Sequence, residues 1–212
     1  MPASHFARSE RTGLCNLLSE LGPEAPTLCE GWLTKDLAAH LFVRERRPLA
    51  MPGLVLGGPP ARLTEIAMQA ALKTYGYAGL VARVRSGPPA IGRPLDELVN
   101  LMEYFVHTED VRRAAPSWEP RDNAALDTAL WASLRRSARM FSRRIRGAGL
   151  ELEAPDGERE RIVVRTSDPR AVLSGGPQEI VLYLFGRGRV AQASLGGPEA
   201  AQAAVRKAGF KV

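Results

Sequence analysis

The sequence predicts an α+β chain, with a bundle of amphipathic helices over residues 1–148 followed by a small α+β module over 149–212. Two observations predict it. Through the first two thirds, apolar residues recur at the three- and four-residue spacing of a helix face, interrupted by Pro/Gly-rich stretches. Past Gly147 and Gly149 the pattern changes to short alternating runs separated by turn residues, the signature of strands.

The bulk numbers set bounds. A chain of 212 residues at 45% hydrophobic content can bury a real core and hold one large or two small domains. No apolar run approaches the ~18 residues that span a bilayer. The start, Met-Pro-Ala-Ser-His-Phe-Ala-Arg-Ser-Glu-Arg, is charged and lacks the apolar core of a signal peptide, so a cytoplasmic protein is expected. The two cysteines, Cys15 and Cys29, make neither a disulfide framework nor a cysteine-based zinc pattern. A net charge of +6 and a pI of 9.8 raise nucleic acid as a partner. The densest basic segment, however, holds Arg135, Arg136, Arg139, Arg143, Arg144 and Arg146 interleaved with Leu134, Met140, Phe141 and Ile145. That is a solvated helix face, and no helix-turn-helix, zinc-finger or aromatic-basic pattern accompanies it.

The elements follow in order. Residues 4–21 form a first helix with Phe6, Leu14, Leu17, Leu18 and Leu21 inward, ended by Gly22-Pro23; His5 is a surface or capping residue at its start. Two prolines and a glycine make 23–33 an ordered loop with Leu28 and Trp32 tucked in. Thr34 caps a second helix running to Arg47, where Pro48 stops it. His40 lies beside its buried face of Leu37, Ala38, Leu41 and Phe42, and Asp36 stands four residues before it. Residues 48–60 are loop, 61–84 a third helix with Gly76 and Gly79 as weak points, and 86–94 a Pro/Gly linker. The fourth helix carries Leu98, Leu101, Met102, Phe105 and Val106 as one apolar stripe. The fifth, 123–146, turns Leu126, Leu130, Leu134, Ala138, Phe141 and Ile145 inward. Residues 150–154 and 161–166 read as two strands joined by a tight turn at Pro155-Asp-Gly, and 171–174 as a third. An apolar helix over 178–185, a turn at Gly186-Arg-Gly-Arg, a strand over 190–195 and a closing helix over 198–208 complete the module.

The chemistry concentrates on the fourth helix. Glu103, His107 and Asp110 stand in the order E-x-x-x-H-x-x-D, which stacks a carboxylate, an imidazole and a second carboxylate on one side. The chain has 3 His, so His40 inside another apolar helix is a natural companion. Helical bundles build metal sites from inward side chains on facing helices. Two His and one Glu make a three-ligand set with a position left for water or substrate, as in catalytic zinc centres. Asp110 suits a partner that orients His107 rather than a fourth ligand. The alternative is that both histidines are hydrogen-bonded core residues and Glu103 a helix-surface carboxylate. Cys29 reads as a buried inert thiol or, alternatively, a soft ligand.

The stretch Pro26-Thr-Leu-Cys-Glu-Gly-Trp-Leu-Thr-Lys-Asp-Leu-Ala-Ala-His40-Leu resembles the P-T-x-C-x-G-W-x-x-x-D-x-x-x-H-L signature of the mycothiol-dependent maleylpyruvate isomerase family, and Glu103, His107 and Asp110 match its second motif. Gly176-Pro-Gln-Glu-Ile-Val-Leu-Tyr-Leu-Phe-Gly-Arg187 looks like the apolar helix of that family's C-terminal domain. The resemblance implies a DinB-like four-helix-type bundle with a small sterol-carrier-like α+β domain. It implies a divalent metal, zinc foremost, on His40, Glu103 and His107, and a low-molecular-weight thiol such as mycothiol as cofactor. Asp110 would act as a catalytic support and Arg187 as a holder of a substrate carboxylate. Nothing in 48–60 or the third helix specifies maleylpyruvate.

Three readings result. The first is a cytoplasmic metal-dependent isomerase or thiol S-transferase acting on a small electrophile and a thiol, as monomer or homodimer. The second is a non-catalytic metal-binding or small-molecule-binding protein on the same fold. The third, a basic nucleic-acid-associated protein carried by the fifth helix, ranks last, and no membrane partner is expected.

Overall fold

A computed structural model describes residues 5–46, 59–89, 96–155 and 161–210. Its contacts divide the chain into two compact units, Met1–Pro120 and Arg121–Val212.

The first unit is helical. Its elements are α1 (Phe6–Leu21), α2 (Thr34–Arg46), α3 (Pro59–Arg85) and α4 (Asp96–Arg112). Helix α1 packs on α4 and α3, and α2 packs on α3. Leu14, Leu18, Leu37, Leu41, Met68, Leu80 and Tyr104 fill the middle. The inward set expected for α1 holds except at Leu21, which is 49% exposed, while Arg11 is buried. The expected cap at α2 also differs. Thr34 donates its hydroxyl to the carbonyl of Gly22, and Asp36 accepts the amide of Leu33 through Oδ2. Asp36 is therefore the capping carboxylate, close to His40 in sequence but occupied at the helix start. Helix α3 breaks at Gly76, whose φ of 63° lies in the left-handed region that side chains avoid. Gly79, the other expected weak point, continues the helix. Most of the loop expected over 48–60 lies outside the described residues.

The second unit contains α5 (Ala124–Ser142), β1 (Gly149–Glu153), β2 (Ile162–Arg165), β3 (Arg170–Ser174), α6 (Pro177–Leu182), β4 (Ser194–Gly196) and α7 (Glu199–Lys207), with a wide turn over Tyr183–Arg187 after α6. The strands lie in the order β2-β1-β3-β4; β1 pairs antiparallel with β2 and parallel with β3, and β4 pairs antiparallel with β3. Leu150, Leu152, Ile162, Val164, Ala171 and Leu173 alternate onto the buried face. Helix α5 packs on β2 and α6, and α7 packs on β3.

Two differences from the sequence expectation stand out. The boundary expected at 148/149 leaves α5 with the bundle, whereas the compact units divide at Pro120/Arg121. Its apolar stripe announces that one face is buried but not which surface will cover it. The stripe itself is as expected, with Leu126, Leu130, Leu134, Ala138, Phe141 and Ile145 all buried and the arginines at 135, 136, 139, 143, 144 and 146 exposed. The strand expected over 190–195 shrinks to Ser194–Gly196, because its pairing partner β3 offers only Val172, Leu173 and Ser174 to it. Gly149 is obligatory at the start of β1. A Cβ there would stand 2.0 Å from the carbonyl oxygen of Ser167.

Candidate metal centre

Helix α4 turns one row of polar side chains inward: Asp96, Asn100, Glu103, His107 and Asp110, spaced by alternating fours and threes. Of these, Asn100, Glu103, His107 and Asp110 are buried. Helix α2 faces the row with His40 and, one turn on, Arg44.

The groups converge on one oxygen. His40 Nε2 lies 3.4 Å and His107 Nε2 3.3 Å from Glu103 Oε1. The two imidazoles approach edge to face with centroids 5.1 Å apart. One donor atom from each of His40, Glu103 and His107 lies within 4.8 Å of the others, a separation that a single ion can bridge. On its far side, His107 Nδ1 donates to Asp110 Oδ2 at 2.9 Å. That bond leaves Nε2 as the nitrogen that looks into the cluster, the arrangement in which a carboxylate fixes the tautomer of a metal-ligating histidine. His40 is oriented differently. Its ring packs on Trp32 at 5.1 Å, and its buried Nδ1 has no hydrogen-bond partner among the described residues.

The loop before α2 is tied to the same place. Cys29 Sγ donates to Asp110 Oδ2 at 3.2 Å, and the amide of Leu28 donates to the carbonyl of Asp110 at 2.9 Å. Cys29, His107 and Asp110 form a second group whose donor atoms would suit an ion. It shares His107 with the first, through the nitrogen that Asp110 already holds.

Charge is balanced locally. Burial alone would raise the Glu103 carboxyl, but the Arg44 guanidinium and hydrogen bonds from His107 and His40 hold it well below the usual carboxylate range. Burial pushes His40 down, so its imidazole is neutral and able to ligate. For His107 burial acts in the same direction, but hydrogen bonds to Asp110, Cys29 and Glu103 outweigh it and raise the imidazole well above its ordinary value. The donor set, two nitrogens and a carboxylate oxygen, fits zinc and its neighbours.

The structure thus brings together His40, Glu103, His107 and Asp110. Arg187 lies in the other unit, at the end of the turn after α6, where Nη1 donates to the carbonyl of Phe185 at 2.5 Å. Sequence reasoning missed Arg44, whose Nε lies 3.0 Å from Glu103 Oε1. Its position four residues after His40 on one helix was the available signal.

No protein-family model and no curated protein matches the sequence. Among solved structures, the chain superposes on a crystal structure of the mycothiol-dependent maleylpyruvate isomerase with a TM-score of 0.59, covering 92% of each chain at 19% identity. In fold, the chain is similar to that isomerase. At this identity the likeness to the isomerase is one of architecture, a helical part followed by a small mixed sheet, in line with the fold that the sequence motifs imply.

Proposed function

We propose that the chain is a metal-dependent enzyme of the maleylpyruvate isomerase or thiol S-transferase kind, using zinc and a low-molecular-weight thiol such as mycothiol in the cytoplasm. One observation carries the reading: two imidazole nitrogens meet one carboxylate oxygen while Asp110 holds the second nitrogen of His107. Likeness in fold to a mycothiol-dependent isomerase supports the choice of thiol chemistry.

In this reading His40, Glu103 and His107 hold the metal, and three protein ligands leave a position for a further group. Bound zinc would supply a Lewis-acid position at which a thiol is ionised into a nucleophile. Asp110 keeps the His107 ring from rotating and keeps its proton on Nδ1. Arg187 is assigned to a substrate carboxylate, which a guanidinium can hold through two parallel hydrogen bonds. His40, Glu103 and His107 are themselves buried, which limits the access of bulk water to the centre.

Elemental analysis of protein purified without a histidine tag tests the metal. The expected result is about one zinc per chain, as a three-ligand centre requires, lost in both His40→Ala and Glu103→Ala. Protein that stays metal-free after zinc addition and dialysis sinks the proposal. Screening with thiols and small electrophiles then tests the reaction. Zinc uptake without thiol-dependent turnover would leave a binding protein on the same fold.

A further inference from the structure

We infer that Arg44 is a positioning residue of the metal centre: with Asn100 it forms a half-buried strut that fixes the Glu103 carboxylate toward the two imidazoles. The inference rests on the metal-centre reading above.

The geometry is an ion pair at Glu103 continued by hydrogen bonds across three helices. Arg44 Nε meets Glu103 Oε1 at 3.0 Å, and its Nη1 donates to Asn100 Oδ1 at 2.5 Å. Asn100 Nδ2 donates to Asp96 Oδ1 at 2.6 Å, and Asp96 accepts Arg11 through both oxygens, at 2.5 and 2.9 Å. The guanidinium is therefore held at two points, by the ion pair at Glu103 and the hydrogen bond to Asn100. Its side chain is 14% exposed, so the contact is shielded from water and salt.

A ligand carboxylate has two oxygens and two side-chain torsions before its plane is set. The imidazoles meet Glu103 only at 3.3 and 3.4 Å, which is too long to fix it by themselves. Among the described residues Arg44 makes the shortest polar contact of that oxygen, and it comes from the same helix as His40, so it sets Glu103 and His40 in one frame. Partners of this kind, one step out from a metal ligand, typically govern affinity by about ten- to a hundredfold. A cation beside the centre also repels a dication, and this opposes the positioning effect. We place positioning above repulsion because the guanidinium charge is shared with Asn100 and Glu103 rather than left open.

The test is zinc affinity by competition with a chromophoric chelator, on the full chain, with helix content followed by circular dichroism. Arg44→Gln is expected to weaken zinc binding about ten- to a hundredfold at unchanged helicity, and Arg44→Lys to recover part of it, keeping the charge but not the fork. Asn100→Ala, at a side chain whose hydrogen bonds go to Arg44 and Asp96, is expected to weaken binding in the same direction by less. The double variant Arg44→Gln/Asn100→Ala should match Arg44→Gln, since both sit on one strut. Unchanged or tighter binding in Arg44→Gln overturns the inference, as does strict additivity in the double variant. Should Arg44→Gln fail to fold, unchanged affinity in folded Asn100→Ala overturns it equally. Wild-type protein that takes up no zinc overturns both this inference and the function proposed above.

Discussion

The thiol of Cys29 and the carboxylate of Asp110, 81 positions apart in sequence, meet at 3.2 Å on the same oxygen that holds His107. One carboxylate oxygen thus joins the loop before α2 to the ring at the candidate centre. Asp110→Ala should weaken zinc binding about ten- to a hundredfold, as loss of the partner of a ligating histidine does. Cys29→Ser keeps a donor at that position and should bind zinc like the parent. Chelator competition on both variants checks the pair. Equal affinity of Asp110→Ala and the parent would remove Asp110 from the site.

Acid stability should separate two carboxylates of the Arg11 cluster. Burial opposes ionisation of Asp96, but the hydrogen bonds from Arg11 and Asn100 prevail and its folded pKa is lowered. It therefore stabilises the fold above its unfolded value, and that contribution fades as pH falls through the folded one. Glu45 goes the other way, because burial raises it despite its bonds from Tyr104 and Arg11. Its ionised form is the costly one, so protonation on lowering pH favours the folded state. Denaturant titrations between neutral and acidic pH should show the gap between parent and Asp96→Asn closing as pH falls. The difference between parent and Glu45→Gln should move in favour of the parent over the same range. Parallel curves would contradict the assigned shifts.

Truncation should distinguish two places to cut. Residues 1–120 are expected to form a soluble helical unit. Residues 1–148 would carry α5 without β2 and α6, leaving Leu126, Leu130, Leu134 and Phe141 without their partners. Each such side chain forfeits about 1.5–3 kcal/mol on exposure, so this longer fragment should aggregate or be trimmed by protease within α5. A monodisperse, protease-resistant 1–148 fragment would place α5 with the bundle after all.

Gly149→Ala should destabilise the second unit by about 1–3 kcal/mol, because the added methyl meets the Ser167 and Arg165 carbonyl oxygens at 2.0 and 2.8 Å. A fall in the melting temperature of the second unit, with zinc binding retained, is the expected result. An unchanged melting temperature would mean that β1 can move aside.

Much of this was legible beforehand because the relevant information is local. The stacking of Glu103, His107 and Asp110 follows from helix spacing alone, and so does the buried stripe of α5. What was hidden depends on tertiary partners. The period that carries Glu103, His107 and Asp110 continues back to Asn100 and Asp96, yet a polar row reads as solvated until Arg44 and Arg11 are seen to face it. Arg11 itself lies among ordinary surface types on α1, and its stacking on Tyr104 at 4.6 Å has no sequence signature. The cover for α5 was hidden for the same reason, since periodicity names the buried face and not its neighbour.

Helix α4 buries its apolar residues Leu101, Tyr104, Phe105 and Val111 and most of its polar row as well. Such a segment has little reason to be helical alone, since the bonds within its polar row are completed only by Arg44, His40 and Cys29 from other segments. An order of assembly is expected in which the apolar faces of α1, α3 and α4 condense first and the polar row closes later on Arg11, Arg44 and the Cys29 loop. Changes along the polar row should then speed unfolding far more than they slow folding, so the same residues that would grip the metal set the lifetime of the native chain.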